Sequence, residues 1–105
     1  MIRHILMLNL KPETSDSARE DLFGQIRKLS DIRSVKKLNI GKVLQPRDAV
    51  YRTRMSADFQ YVLLVDFADE EGLEIYQKDP YHVEVGLEIR KHASGLTVTD
   101  FVTPD

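Results

Sequence analysis

Two titratable side chains stand on either side of a helix boundary: Tyr76 and, six residues later, His82. Between them, Asp79 and Pro80 suit the start of a helix, because aspartate is a favoured N-cap and proline lacks an N–H that the first turn leaves unpaired anyway. His82 is then in the first turn, near free amides and the positive end of the helix dipole. That position disfavours imidazolium, so the corner is predicted to hold an anion or a neutral proton acceptor.

Proton transfer is the chemistry that these two side chains offer. A histidine with its ordinary pKa of about 6.5 has a large neutral fraction at neutral pH, and it can take a proton from a carbon next to a carbonyl. The phenol of Tyr76 can donate a hydrogen bond to the developing oxyanion. The reaction needs no cofactor. Two alternatives stay open: the corner binds a ligand without turnover, or His82 caps the helix while Tyr76 packs in the core.

Composition limits the class of protein. A chain of 105 residues forms one domain, residues 1–105, and 42% hydrophobic with 30% charged residues is typical of a soluble globular protein. No apolar stretch reaches the ~20 residues of a membrane helix, and the N-terminus does not resemble a signal peptide, so a cytoplasmic location is predicted. Without cysteine there is no thiolate nucleophile. A net charge of −2 gives no general attraction to nucleic acid.

Other ligands have weaker support in the sequence. His4 and His82 could bind a metal together with an acid, but no metal-ligand motif accompanies them, so neither a metal nor a cofactor is predicted. Four basic residues could meet an anionic substrate, although a solvated loop is the simpler interpretation: Lys42, Arg47, Arg52 and Arg54.

Hydrophobic periodicity predicts the elements that position this corner. The predicted strands cover residues 2–10, 35–44, 60–67 and 96–102. The first helix is expected to start at a capping box formed by Ser17 and Glu20 and to run to about Leu29. Two further helices start at Asp69 and Pro80, and the second of them runs to about His92. Residues 45–59, with no clear period, are predicted to form a long exposed loop.

This order is the β-α-β-β-α-β arrangement of a ferredoxin-like fold, an α+β protein with a four-stranded antiparallel sheet. The first strand carries apolar residues on both faces, with His4 among the leucines of one face. The helices cover only one face of such a sheet. The other face is therefore expected to be covered by a second copy of the chain, giving a closed two-fold homodimer.

Four stretches carry a resemblance to a known family: IRHILML at residues 2–8, DFQYVLLVDF at 58–67, LEIYQKDPYHVEV at 73–85 and VTDF at 98–101. Together they resemble the stress-responsive dimeric α/β-barrel (Dabb) family over nearly the whole chain. The spacing Tyr-x-x-x-Pro-x-His, with an early strand histidine, is its most specific part. Asp79 and Tyr81 depart from the residues that the family usually has there.

The resemblance implies a ferredoxin-like protomer that dimerises into a barrel with a cavity over each sheet. A few family members are polyketide cyclases that use a His and a Tyr in the cavity, and by position His82, Tyr76 and His4 are the predicted catalytic residues. His4 would orient the substrate, a small and largely apolar or aromatic molecule, or would help Tyr76 to stabilise the oxyanion. The alternatives are a non-catalytic stress-associated binding or interaction protein and a cofactor-free monooxygenase-like enzyme. An enzyme would be a lyase, cyclase or isomerase.

Overall fold

The computed structural model describes residues 1–55 and 58–104. The elements follow the predicted order, with one short helix added. They are β1 (Ile2–Leu10), α1 (Asp16–Arg27) with a 3₁₀ turn after it (Lys28–Asp31), β2 (Val35–Lys42), α2 (Ala49–Arg52), β3 (Tyr61–Phe67), α3 (Glu70–Lys78), α4 (Pro80–His92) and β4 (Ala93–Val102).

The four strands form one antiparallel sheet in the order β2-β3-β1-β4. The ferredoxin-like fold predicted from the sequence is thereby confirmed. Strands β1 and β3 are central, as their high content of apolar residues predicts. The pairing of β1 with β4 sets His4 directly opposite Asp100, and the pairing of β1 with β3 sets it opposite Val65.

The helices pack on one face of the sheet. Along β1, alternate residues are buried beneath them, and His4 is the polar member of this buried row. Strand β3 contributes Leu63, Val65 and Phe67 to the same layer. The helices complete the hydrophobic core with a set of buried side chains: Leu22, Phe23 and Ile26 of α1, Leu29 of the 3₁₀ turn, Tyr76 of α3, and Val85 and Ile89 of α4.

Within residues 1–55 and 58–104, the core helices α1, α3 and α4 leave the other face of the sheet uncovered. Its centre is apolar and half-buried, formed by Ile5 and Met7 of β1 with Val62 and Leu64 of β3. These residues stand opposite one another in register, Ile5 beside Leu64 and Met7 beside Val62. We call this surface, defined by those four residues, the open face.

The start of α1 differs from the prediction. Ser15, rather than Ser17, is the N-cap: its backbone is extended and its side chain accepts a hydrogen bond from the N–H of Ala18 at 3.0 Å. The earlier start places Asp16 in the first turn, where the helix dipole stabilises its charge. The capping box of Ser17 and Glu20 was therefore a wrong prediction, since both residues lie within the helix. At its other end, α1 stops at Arg27 and the chain tightens into the 3₁₀ turn.

Two other boundaries also differ. Part of the predicted loop at residues 45–59 forms α2, because the Asp48 carboxylate accepts a hydrogen bond from the N–H of Tyr51 at 2.9 Å. Ser56 and Ala57 of that loop lie outside the described residues. Strand β4 begins at Ala93 rather than at residue 96, because the last carbonyl of α4, that of His92, accepts directly from Lys11 N at 2.8 Å.

Candidate active site

The corner between α3 and α4 is formed by one residue. Asp79 ends α3, where its N–H donates to the carbonyl of Tyr76 at 3.2 Å, and it also caps α4, where its carboxylate accepts from the N–H of Tyr81 at 2.8 Å. The carboxylate of Asp79 thus serves one of the amides that were expected to be free for an anion. An anion and a neutral proton acceptor at this corner both stay predictions.

Tyr81 points away from the corner. Its hydroxyl donates to the carbonyl of Gln25 in α1 at 2.8 Å, and this hydrogen bond ties α4 to α1. Asp79 and Tyr81, the two departures from the usual family residues, therefore make structural contacts here.

Tyr76 is the centre of an aromatic cluster. Only 1% of the residue is exposed. Its ring centroid lies 4.3 Å from that of His82, 5.0 Å from that of Phe67 and 5.8 Å from that of His4. Burial raises the pKa of Tyr76 well above its ordinary value of 10.0, because the phenolate would be desolvated. At physiological pH this phenol is therefore a hydrogen-bond donor and not a base.

The hydroxyl of Tyr76 is unpaired within the described part of the chain. It takes part in none of the hydrogen bonds there, yet it does not belong to the fully buried unpaired polar atoms. The oxygen therefore retains a small accessible surface, and a donor remains for a bound molecule.

His82 packs on Tyr76 and is half-buried. Its Nδ1 lies 3.3 Å from the carbonyl oxygen of Gln77. A carbonyl can only accept, so this contact favours the tautomer in which Nδ1 carries the proton and Nε2 has a free lone pair. Burial lowers the pKa of His82 below its ordinary 6.5, with smaller contributions of the same sign from His4 and Arg90; the Gln77 carbonyl and Asp79 oppose the shift.

His4 reaches the same cluster from the sheet. It is 6% exposed, and its Nδ1 lies 2.5 Å from Oδ1 of Asp100, its partner across the β1–β4 ladder. The carboxylate accepts from Nδ1–H and orients the ring. Asp100 was not among the site residues predicted from the sequence. Its only sequence signal was a carboxylate in the last strand, which acquires meaning once the strand register is known.

These side chains line a cavity of about 150 Å³. Besides Arg90, the polar residues of its lining are His4, Tyr76, Gln77 and His82, and the rest of the lining is apolar. Leu96 and Val98 of β4 line it while remaining 39% and 48% exposed, so the cavity opens to the surface along β4. The structure thus brings all three predicted site residues to one cavity.

The basic residues at the cavity differ from those proposed from the sequence. Among the described residues, Arg90 lines the cavity, whereas Lys42, Arg47, Arg52 and Arg54 do not. Arg90 follows His82 and Gly86 at intervals of four, so the helical period contains a signal that the sequence analysis did not use. Across residues 1–55 and 58–104, no three histidine, cysteine or acidic side chains cluster closely enough to hold a metal ion.

Fold and site together define a ferredoxin-like α+β protein with a His–Tyr–His cavity between its helices and its sheet. Over residues 2–103 the sequence matches the family model described as the stress responsive A/B barrel domain, so the chain belongs to the Dabb family. No curated protein sequence matches it significantly. In the part of the chain that the structure describes, no helix is both long and apolar enough to cross a bilayer.

Solved structures share this fold at low sequence identity. The Arabidopsis thaliana protein At3g17210 is 19% identical with a TM-score of 0.83, covering 100% of this chain and 97% of that one. A hydroxynitrile lyase from Passiflora edulis is 17% identical with a TM-score of 0.83, covering 99% and 94%. A protein from Thermobifida fusca, described as dimeric and ferredoxin-like, is 20% identical with a TM-score of 0.78, covering 97% and 90%.

Proposed function

We propose that this protein binds a small, largely apolar carbonyl compound in the cavity and transfers a proton within it without a cofactor. One observation carries the proposal: His82 and Tyr76, with ring centroids 4.3 Å apart, line the same cavity while burial shifts their pKa values in opposite directions. The lowered pKa of His82 keeps the imidazole neutral, and the raised pKa of Tyr76 keeps the phenol protonated. Such a divergence suits a base beside a hydrogen-bond donor.

In the proposed reaction, Nε2 of His82 removes a proton from the carbon next to the substrate carbonyl. The C–H bonding electrons form the enolate, whose negative charge rests on the carbonyl oxygen, and His82 becomes imidazolium. The Tyr76 hydroxyl donates a hydrogen bond to that oxygen and stabilises it. The imidazolium then returns its proton by one of two routes. In a substrate with a carbon–carbon double bond next to the acidic carbon, the proton goes to the far (γ) carbon of the conjugated dienolate. In a substrate with a second carbonyl, the enolate carbon bonds to that carbonyl carbon, and the alkoxide oxygen formed there takes the proton.

The first route is an isomerisation and the second a cyclisation. The reverse of the second step, in which the carbon–carbon bond breaks, would be a lyase reaction. The likeness in fold to a hydroxynitrile lyase is consistent with lyase chemistry on this scaffold. His4 is proposed to contact the substrate from the sheet side, oriented by Asp100. General-base catalysis by His82 would be worth on the order of a hundred- to ten-thousand-fold in rate.

The homodimer is part of the same proposal. The open face is apolar at its centre, and a second copy is proposed to cover it. Proteins of this fold from Thermobifida fusca and Jannaschia are described as dimeric, which supports a dimer here. A sedimentation mass of two chains at micromolar concentration is expected. Met7→Lys, at the centre of the open face, should give one chain, whereas Leu87→Lys, on an exposed apolar residue of α4, should not. A single-chain mass for the unaltered protein would contradict this part of the proposal.

Binding without turnover is the second candidate, and the apolar part of the cavity lining favours it, because it would hold an apolar molecule that has no acidic C–H for His82 to deprotonate. The test is a screen of small aromatic and aliphatic carbonyl compounds, including polyketide-like diketones, for turnover by the purified protein. His82→Ala should abolish the activity that the screen finds. His92→Ala should leave it unchanged, since His92 is the histidine outside the cavity and pairs with Glu88 at 3.9 Å. Undiminished turnover by His82→Ala would refute the assignment. A cytoplasmic location and the absence of a nucleic-acid partner stay predictions.

A further inference from the structure

Arg90 is the permanent charge at the cavity. Of the described residues that line it, Arg90 alone is charged at every physiological pH, and no acidic side chain lines it. His4 and His82 add only titratable groups, and the Asp100 carboxylate that contacts His4 is not part of the lining. The cavity is therefore apolar with a net positive charge at its rim, which favours an apolar molecule that carries a negative group.

The guanidinium of Arg90 has no hydrogen-bond or ion-pair partner among the residues that the structure describes. Ion pairs and hydrogen bonds within residues 1–55 and 58–104 do not include it, although several carboxylates of the chain are paired with other basic residues. Its five N–H donors, in a planar fork, match the two oxygens of a carboxylate. A lysine at this position would give a point charge without that geometry.

The side chain of Arg90 also lies within electrostatic reach of the proposed base. In an α-helix, the eight residues from His82 to Arg90 rise by about 12 Å, and long side chains lean back toward the N-terminus. Both residues line one cavity, and the charge of Arg90 contributes to the lowered pKa of His82. A ligand in the cavity is therefore next to residues that include both His82 and Arg90.

We propose that Arg90 selects the substrate by binding a carboxylate at the cavity mouth, so that the natural ligand is an apolar carboxylate. This inference rests on the proposed function for the location of the ligand. The cavity of about 150 Å³ resembles in size an engineered cavity that accommodates benzene, so the apolar body is about one six-membered ring or a short alkyl chain. The reacting carbonyl would lie at the His82 end.

The experiment compares two probes of nearly the same shape, phenylacetate and phenylacetamide. Each is titrated into the full chain by NMR, and the ring resonances of His82 report occupancy of the cavity. Charge-assisted hydrogen bonding predicts that the unaltered protein binds phenylacetate roughly tenfold more tightly than phenylacetamide. Arg90→Gln should bind the two probes equally, with the affinity for phenylacetamide unchanged.

Lys91→Gln is the matched control, because Lys91 is also in the last turn of α4 and its loss changes the net charge equally, yet it does not line the cavity. It should keep the tenfold preference. Equal affinities of both probes for the unaltered protein, or equal losses in Arg90→Gln and Lys91→Gln, would overturn the role of Arg90 and leave the proposed function standing. If neither probe shifts the ring resonances of His82, both the role of Arg90 and the ligand site of the proposed function are refuted.

Discussion

Oδ1 of Asp100 lies 2.5 Å from Nδ1 of His4, and this contact joins the edge strand β4 to the central strand β1 beneath the cavity. The carboxylate side chain is 35% exposed, whereas the imidazole is nearly buried. Asp100 therefore works from the surface as a positioning residue, holding a buried ring whose other nitrogen has no hydrogen bond within the described residues.

Asp100→Asn and Asp100→Leu should separate charge from hydrogen bonding at His4. The asparagine keeps an oxygen that can accept from Nδ1–H, so its free energy of unfolding should change by less than about 1 kcal/mol, whereas leucine leaves that N–H unpaired and costs about 1–3 kcal/mol. Chemical denaturation measures both values, and ¹⁵N chemical shifts of His4 report its tautomer. Thr99→Val, one residue away on the opposite side of β4, serves as control. Equal stability of the leucine and asparagine variants would contradict the positioning role.

Tyr76→Phe tests whether the tyrosine hydroxyl serves function or packing. Because that hydroxyl has no hydrogen-bond partner in the described part of the chain, removing it should change the free energy of unfolding by less than about 1 kcal/mol. Turnover should fall about a hundredfold or more, as for loss of an oxyanion donor. Tyr76→Ala, by contrast, should cost about 3–5 kcal/mol, because a buried aromatic ring is lost. A phenylalanine variant with full turnover would remove Tyr76 from the proposed mechanism.

The pH dependence of stability should carry the signature of His82. In the unfolded chain this group titrates near 6.5, and burial lowers its pKa in the folded state. Between the two values the unfolded state binds more protons, so the contribution is complete above pH 6.5 and is lost as the pH falls toward the folded pKa.

Urea unfolding between pH 8 and pH 5 should therefore show a larger loss of stability for the unaltered protein than for His82→Gln. The same carboxylates and the same His4, Asp79 and Arg90 surround the site in both proteins, so the difference isolates residue 82. His92→Gln, which leaves His82 in place, should keep the full loss. Parallel curves for the unaltered protein and His82→Gln would show that burial does not shift the titration of His82.

Two helical glycines offer a matched test of the cavity. A Cβ added at Gly24 in α1 or at Gly86 in α4 would meet nothing within 4 Å, so Gly24→Ala and Gly86→Ala should each stabilise the fold by up to ~1 kcal/mol. Of the two, Gly86 lines the cavity, and its new methyl group narrows that space. Ligand affinity should fall in Gly86→Ala and remain in Gly24→Ala. If Gly86→Ala and Gly24→Ala bind the ligand with equal affinity, the ligand does not occupy the part of the cavity next to Gly86.

Much of the fold is readable from local patterns. The alternation of apolar residues identified all four strands. The acids at the start of α3 and the Asp79–Pro80 pair identified two helix starts. Both signals are readable because helix caps and alternating burial depend on only a few consecutive residues. The wrong predictions are also local. Ser15 and Ser17 both suit an N-cap, and Asp48 starts α2 without the apolar period that marks longer helices.

The candidate site divides in the same way. Tyr76 and His82 are only six residues apart in the chain, so the sequence alone predicted that both lie at the helix corner. Asp100 and Arg90 were missed. Asp100 approaches His4 only because β4 pairs with β1, a contact between residues 96 positions apart. Arg90 acquires a role only because α4 packs over a cavity that the sheet leaves partly open.

The sequence by itself determined the class of fold, the open apolar face and the proton-carrying corner, since each depends on spacing along one strand or one helix. The tertiary structure alone decided that the corner and the strand histidine share one cavity, that Asp100 contacts this histidine, and that Arg90 provides the cavity with its charge. Such arrangements depend on strand register and helix packing, which sum many weak contacts between distant parts of the chain and leave no short-range trace in the sequence.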